Sequence, residues 1–446
     1  MFALAFVASC GGNVTPPPEP LDVIGLRLEQ NEVCIGGDSR TAVTVHVSRG
    51  TAPRKDVTVT VDSDPDQMLV EPLVIPADRD DGELGIVTGA PIKTGTFTLH
   101  VHAGTFSTSL DVIVGPQVGA VDESFGEGGY VTLPAENTLS ARVAAHGTGV
   151  LVLVPSSGSP SILRRFDERG APDLAWGDKG QLALDFGSGG MLTVGPDRSI
   201  WVDAGCDKLP CRYAAAISAD GSSVTLLVGP NPNNYFGVGA RCIVPTSSGT
   251  FVGGYLGPYG YVLKLDPQLK QDPAYGLGIE QGPGIEACAG ISSTDIVVGD
   301  TSGRAHVLGG TGLPRATFGS GGGAIQALAR GADGRIYMTR SETLPELSVA
   351  MGFHVYEANG TPVASEDEIF PGAYARTLIV SRANVAYMVS DRYRLQKRRG
   401  TPLRALGRAH AFESMAADSC GRLLTAYVTN KADGDPVRVV VTRLWP

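Results

Sequence analysis

Few side chains in this 446-residue chain stand at spacings that could do chemistry. His100 and His102 share one face of a strand-like run, as two zinc ligands would, but no third ligand is adjacent, and they read as a surface pair. Asp62, Asp64 and Asp66, and the run DRDDGE at 78–83, have the composition of calcium loops without the glycine or distal glutamate that completes one, so they read as solvated carboxylates. GSGGGA at 319–324 mimics part of a dinucleotide fingerprint but opens no helix, which makes it a turn. The sequence has no Gly-x-Ser-x-Gly, no His-Glu-x-x-His and no Gly-Lys pair for a phosphate loop. These patterns yield no catalytic residue, no metal site and no cofactor.

A basic run is the next candidate. DRYRLQKRRGTPLRALGR, residues 391–408, concentrates cations in an acidic chain, and on a strand Arg392, Arg394 and Arg398 share a face. They read either as a patch for an anionic glycan or lipid head group, or as a solvated outer face, the usual fate of a charge run. Cysteine chemistry begins at the N-terminus, where an apolar run ends in Val7-Ala8-Ser9-Cys10. That stretch resembles the bacterial lipobox, which implies a diacylated Cys10 as first mature residue and a lipid anchor to a membrane. Residues 1–9 would be the signal peptide; they hold no Lys or Arg, so the true start is expected further upstream. Residues 10–20, rich in proline, would form an extended tether. Gly11 after the cysteine, by analogy with enteric bacteria, suits export to the outer membrane of the cell envelope.

What must position any site is set by composition. Only 18% of residues are charged, while 59 glycines and 30 prolines punctuate short apolar runs, so the chain reads as all-β with several domains. A net charge of −10 argues against nucleic acid as a partner, since binding it requires a basic surface. Residues 21–115 hold seven alternating or apolar stretches, from VIGLRL to FSTSLDVIV, and predict an N-terminal β-sandwich. Its pattern resembles bacterial immunoglobulin-like (Ig-like) modules, which implies a spacer role.

Residues 119–446 repeat. Seven copies of a strand, turn, strand unit begin ARVAAH (141), MLTVG (191), ARCIV (240), EACAG (286), IQALA (325), ARTLI (375) and FESMA (412), and a third strand follows in each. A period of about 40 to 50 residues is that of a propeller blade, which predicts a seven-bladed β-propeller. In the early copies DLAWGDKGQLAL supplies a fourth strand, but the last copy ends in VVVTRLWP without one. DESFGEGGYVTL, at the start of the region, is then expected to close the ring, with Tyr130 to Leu133 pairing around Arg438 to Arg443.

DESFGEGG (122–129), DLAWGDKG (173–180) and RATFGSGG (315–322) resemble the delta-60 repeat of bacterial surface and secreted proteins. The resemblance implies a fold and carries no common reaction. Among the cysteines, Cys206 is expected to pair with Cys211 across a short Pro-containing loop. Cys242 is expected to pair with Cys288, since both fall near the same place on neighbouring first strands. Cys34 and Cys420 are left free or joining sandwich to propeller. The functional expectation is a surface-tethered binding or scaffold module with a protein or glycan ligand. The alternative is an extracytoplasmic glycan lyase or hydrolase whose site lies at the channel mouth.

Overall fold

Alternation decides which face of each strand is buried. In the strand Val57–Asp62, Val57 and Val59 are buried while Thr58 and Thr60 face water. The computed structural model describes residues 22–446 other than 38, 63–67, 89–93, 136–137, 139, 156–159, 187–189, 205–211, 229–238, 257–258, 274, 276–282, 320–321, 345–346, 372–373, 382–383, 399, 411–412 and 430–436. Cys10, Asp64, Asp66, Cys206 and Cys211 lie outside the described residues. Within them the chain is all-β, with a single 3-10 turn at Ala364–Glu366 and no helix long and apolar enough to cross a membrane.

Residues 23–114 form two sheets facing one core of Val, Leu and Ile. One sheet orders the strands Val23–Leu28, Arg40–Arg49, Asp81–Thr88 and Met68–Val70. The other orders Glu32–Ile35, Phe106–Val114, Gly95–Ala103, Val57–Asp62 and Leu73–Ile75. Two features differ from the sequence expectation. QMLVEPLVI is two strands in different sheets, because Pro72 offers no N–H to a ladder and the chain crosses over at Glu71-Pro72. Glu32–Ile35, which has no alternation to betray it, runs parallel to Phe106–Val114 and buries Val33, Cys34 and Ile35 in succession.

From residue 130 onward the described residues form seven antiparallel sheets. Their first strands are Arg142–His146, Leu192–Val194, Gly239–Thr246, Ile285–Gly290, Ile325–Arg330, Ala375–Val380 and Ser414–Ala417. Each of these packs beside the next, and the last packs beside the first, where Val143 N donates to Ser414 Oγ at 3.3 Å. Apolar clusters fill the space between neighbouring sheets, such as Val150 and Val152 of the first against Leu424 and Val439 of the last. Sheets stacked face to face round one axis make a β-propeller. The outer strand of the last sheet is Tyr130–Pro134, in register Tyr130↔Thr442 to Pro134↔Arg438.

Among the described residues one turn is built three times around an aspartate. Asp173 N donates to Arg165 O at 3.0 Å, Asp272 N to Lys264 O at 2.8 Å, and Asp122 N to Arg443 O at 2.8 Å. The same pairs form ion pairs through their side chains. Three residues on, Trp176, Tyr275 and Phe125 are buried, each with its N–H on the aspartate carbonyl. In the third case two residues 321 apart in sequence complete what the other cases complete within a few residues. Trp176 then reaches the next sheet, donating Nε1 to Ala219 O at 3.0 Å and lying under Gly221. Gly221 has φ +73°, and a Cβ there would fall 2.7 Å from the indole, so only glycine fits.

This also revises the reading of the signature. In RATFGSGG, Phe318 instead ends the strand Pro314–Phe318 and pairs with Ala305. Tyr275 of DPAYG, which the sequence reading passed over, occupies the equivalent place.

Candidate functional site

A propeller has two ends, and contacts between neighbouring first strands distinguish them. Where the first strands turn back, turn meets turn: His146 Nε2 lies 3.0 Å from Arg198 O, Thr246 Oγ1 donates to Ser293 O at 3.1 Å, and Asp333 N donates to Asn384 Oδ1 at 3.1 Å. The sandwich is fixed to this end. Cys34 is disulfide-bonded to Cys420, with Cα atoms 5.0 Å apart, and Cys34 N donates to Cys420 O at 2.8 Å. Burial first, and then Asp333 of the ring, push the Glu83 carboxyl of the sandwich up in pKa.

His146 at this end is buried and neutral, because its Nδ1 accepts from Arg165 Nε at 3.1 Å while Nε2 donates to the Arg198 carbonyl. Burial first, then the charges of Arg165 and Arg198, hold its pKa below the usual 6.5 in spite of the Arg198 carbonyl. The unfolded chain therefore takes up this proton at higher pH than the folded one. The contribution of His146 is whole above 6.5 and is lost as the pH falls through that value towards the folded pKa. Urea midpoints at about pH 7.5 and about pH 5.5 should differ less in His146→Gln than in the wild type. An identical acid-side drop in both would refute a neutral, buried His146.

At the other end the first strands begin, and here four consecutive sheets share an irregularity. Ala240↔Gly254 is followed by Cys242↔Gly253, Ile285↔Asp300 by Ala287↔Gly299, Ile325↔Arg340 by Ala327↔Thr339, and Ala375↔Ser390 by Thr377↔Val389. The extra residues of these β-bulges are Arg241, Glu286, Gln326 and Arg376, every one of a polar type. A bulge takes its residue out of the pleat and re-aims it, and bulges concentrate beside functional sites. Among the described residues no such shift occurs in the other three sheets, where Arg142 pairs regularly with Leu153, Leu192 with Val202, and Ser414 with Ala426. The bulges therefore mark one arc of the mouth.

Around the arc the side chains are interlinked. Arg241 is exposed and lies 5.1 Å from the Tyr255 ring centroid, and the Tyr255 hydroxyl donates to Glu286. Burial first, and then Glu286, push Tyr255 up to about 12, so it is a neutral phenol at physiological pH. Gln326 Nε2 donates to Ser341 Oγ at 3.1 Å. Beyond it, His354 stands between Glu342 Oε1 at 3.2 Å and Asp367 Oδ1 at 3.3 Å, with Arg340 also on Glu342. These last groups satisfy one another and brace the long hairpin Ile336–Leu344 and Leu347–Tyr356.

Of the cations singled out from sequence, Arg392 and Arg394 lie at this same end, just after the strand Ala386–Ser390, but neither is a bulged residue. Arg394 Nε is 2.6 Å from Glu413 Oε1, a carboxylate with no exposed side-chain surface. Arg392 is exposed beside Asp391, and Arg398 is half-buried after the strand Tyr393–Lys397. His102 Nε2 lies 3.1 Å from Asp62 Oδ2, and among the described residues no three His, Cys, Asp or Glu side chains gather to hold a metal. Cys242 and Cys288 are disulfide-bonded, with Cα atoms 5.7 Å apart, between the third and fourth first strands. The aligned copies carry a polar residue at these places, but ARVAAH carries Arg142 at the same place without a bulge, so the sequence does not mark the arc. What the sequence does not show is the bulge.

No protein-family model and no curated protein matches the chain. Among solved structures, the Dos1 propeller is similar at 11% identity and TM-score 0.44, over 66% of this chain and 75% of that one. The propeller domain of Cps50 (Swd1) from Myceliophteria thermophila is similar at 11% identity and TM-score 0.44, over 70% of this chain and 98% of that one. Domains 4 and 5 of the S-layer protein SbsC match at 16% identity and TM-score 0.18, over 22% of this chain and 53% of that one.

Proposed function

We propose that this chain is a surface-tethered bacterial lipoprotein, anchored through Cys10 to the outer membrane, whose propeller is a binding or scaffold module. In this reading the propeller has seven blades of delta-60-like repeats, closed by the strand Tyr130–Pro134, and stands on an Ig-like sandwich. The observation that carries it is the arc of bulged polar residues, at the end of the ring opposite the sandwich. A tether at the start of the sandwich would hold that mouth away from the membrane. The Cys34–Cys420 and Cys242–Cys288 bonds support an oxidising compartment outside the cytoplasm.

A glycan-active enzyme is the second reading, and the Glu342, His354 and Asp367 cluster is what favours it. Its groups are engaged with one another, which favours binding. The test is to express the chain behind an adequate signal peptide. Palmitate labelling and membrane partitioning are expected and should be lost in Cys10→Ala, and Arg241→Glu should abolish retention of envelope material. A wild-type chain recovered soluble in the cytoplasm, or retention indifferent to Arg241, would sink the proposal.

A further inference from the structure

Resting on that binding reading, we infer that the bulged arc takes an anionic carbohydrate, a sugar chain bearing carboxylates. Arg241 opens the arc and Arg376 stands at the same backbone place at its far end, three sheets away. A guanidinium matches a carboxylate with two parallel hydrogen bonds, and it stays charged at every physiological pH. Between these positions lie Glu286 and Gln326. Their planar groups accept from, or in the amide also donate to, the paired hydroxyls of a sugar ring.

Aromatic surface lies at both ends of the same arc. Tyr259 starts the third strand of its sheet, opposite Leu256 and beside the Tyr255 hairpin, and is 49% exposed. Tyr374 directly precedes Ala375 and Arg376, is held by its N–H on Asp391 Oδ1 at 3.0 Å, and is 39% exposed. An exposed tyrosine offers an apolar ring face with a polar tip, which suits the C–H face and hydroxyl edge of a sugar. Arginine, glutamate, glutamine and tyrosine together fit a ligand that is part anion, part polyol and part flat apolar face.

Other polyanions fit less well. Dense phosphate chains need more cations than the arc holds, and the whole chain is acidic. An acidic peptide supplies carboxylates but no hydroxyl pairs for Glu286 and Gln326. The carboxylated sugar is the ligand class that uses Arg241, Glu286 and Gln326 together.

Titration calorimetry on the intact chain tests this with tetragalacturonate and sialyllactose as separate probes. Saturable binding of at least one is expected, with affinity at least ~10-fold lower for its methyl ester. Arg241→Ala and Gln326→Ala should each weaken it by about 10-fold or more, with unchanged melting temperature, while Arg79→Ala, at an exposed place in the sandwich, should leave it unchanged. No binding of either probe, or equal affinity for hexaglutamate, overturns the ligand class. Binding indifferent to Arg241 and Gln326 overturns the site. Envelope retention that still depends on Arg241 when both sugars fail leaves the binding reading standing and removes only the sugar.

Discussion

Deletion of residues 119–134 should unfold the ring and drive the protein into aggregates, and truncation after Val437 should do the same. The deleted segment supplies Tyr130–Pro134 to the last sheet, so its loss bares the full length of Arg438–Leu444 as a sheet edge. It also removes Phe125, Val131 and Leu133 from the cluster between the last sheet and the first. Truncating a buried Phe alone costs about 3–5 kcal/mol. Asp122 sets a second loss of that order, because Arg443 is buried, bonded to Asp122 Oδ2 at 2.8 Å, and set over Phe125. Asp122→Ala leaves that guanidinium and Arg422 without their shared carboxylate, and breaking a buried pair costs about 3–5 kcal/mol.

The pairing has a pH signature. Burial would raise the Asp122 pKa, but the Ser124 hydroxyl first, then Arg443 and Arg422, win and hold it below 3.8. Its contribution is whole above 3.8 and is lost as pH falls through the lower folded value, so Asp122→Asn should flatten the acid limb of stability. Moving 119–134 behind Pro446 through a short linker should restore folding, since the turn at Asp173 makes the same joint within one covalent stretch. Thermal melts and light scattering of the deletion and the permutant decide the matter. A soluble deletion variant with wild-type melting would show that Tyr130–Pro134 does not close the ring. The closing strand must find its partner across about 300 residues, so it should form late in folding.

The pairing of Tyr130–Pro134 with Arg438–Leu444 was legible for a local reason. Each copy of the repeat carries its own hairpin pattern, and the last one visibly lacks an outer strand, so the unpaired YVTL at 130–133 had one place to go. Features without a local pattern were not legible. Glu32–Ile35 buries three residues in succession, which neither a period of two nor a period of 3.6 announces. Tyr275 escaped because DPAYG lacks the second glycine spacing of its relatives, while its hydrogen bonds are theirs. Arg241, Glu286 and Gln326 look like ordinary polar places in apolar strands, since a bulge is a relation between two strands. The basic run was conspicuous, yet Arg394 belongs to the buried Glu413.

Replacing Cys34 or Cys420 should uncouple sandwich from propeller and lower the melting temperature of the whole chain. The bond closes a span of 386 residues, and in the chain-entropy account a loop of about 100 residues already contributes about 4.7 kcal/mol, with only a logarithmic increase beyond. Around it the contact is apolar and close. Cys34, Cys420 and Trp445 form a buried cluster with Ile113 and Ala120, and Gln30 Nε2 donates to Ser419 O at 3.0 Å. Trp445 lies flat on Gly115, where a Cβ would fall 2.0 Å from the indole. A flexible spacer would make none of these contacts; the sandwich is a rigid mount. Cys34→Ala, Cys420→Ala and the double variant should therefore lose about the same stability, because either change breaks the one bond. Protease cleavage in 115–119, slow in the wild type, should become fast in all three. Gly115→Val should release the sandwich with the disulfide intact, separating the packing from the bond. Equal melting and equal cleavage in the oxidised and the Cys34→Ala proteins would show that the two parts are joined by chain alone.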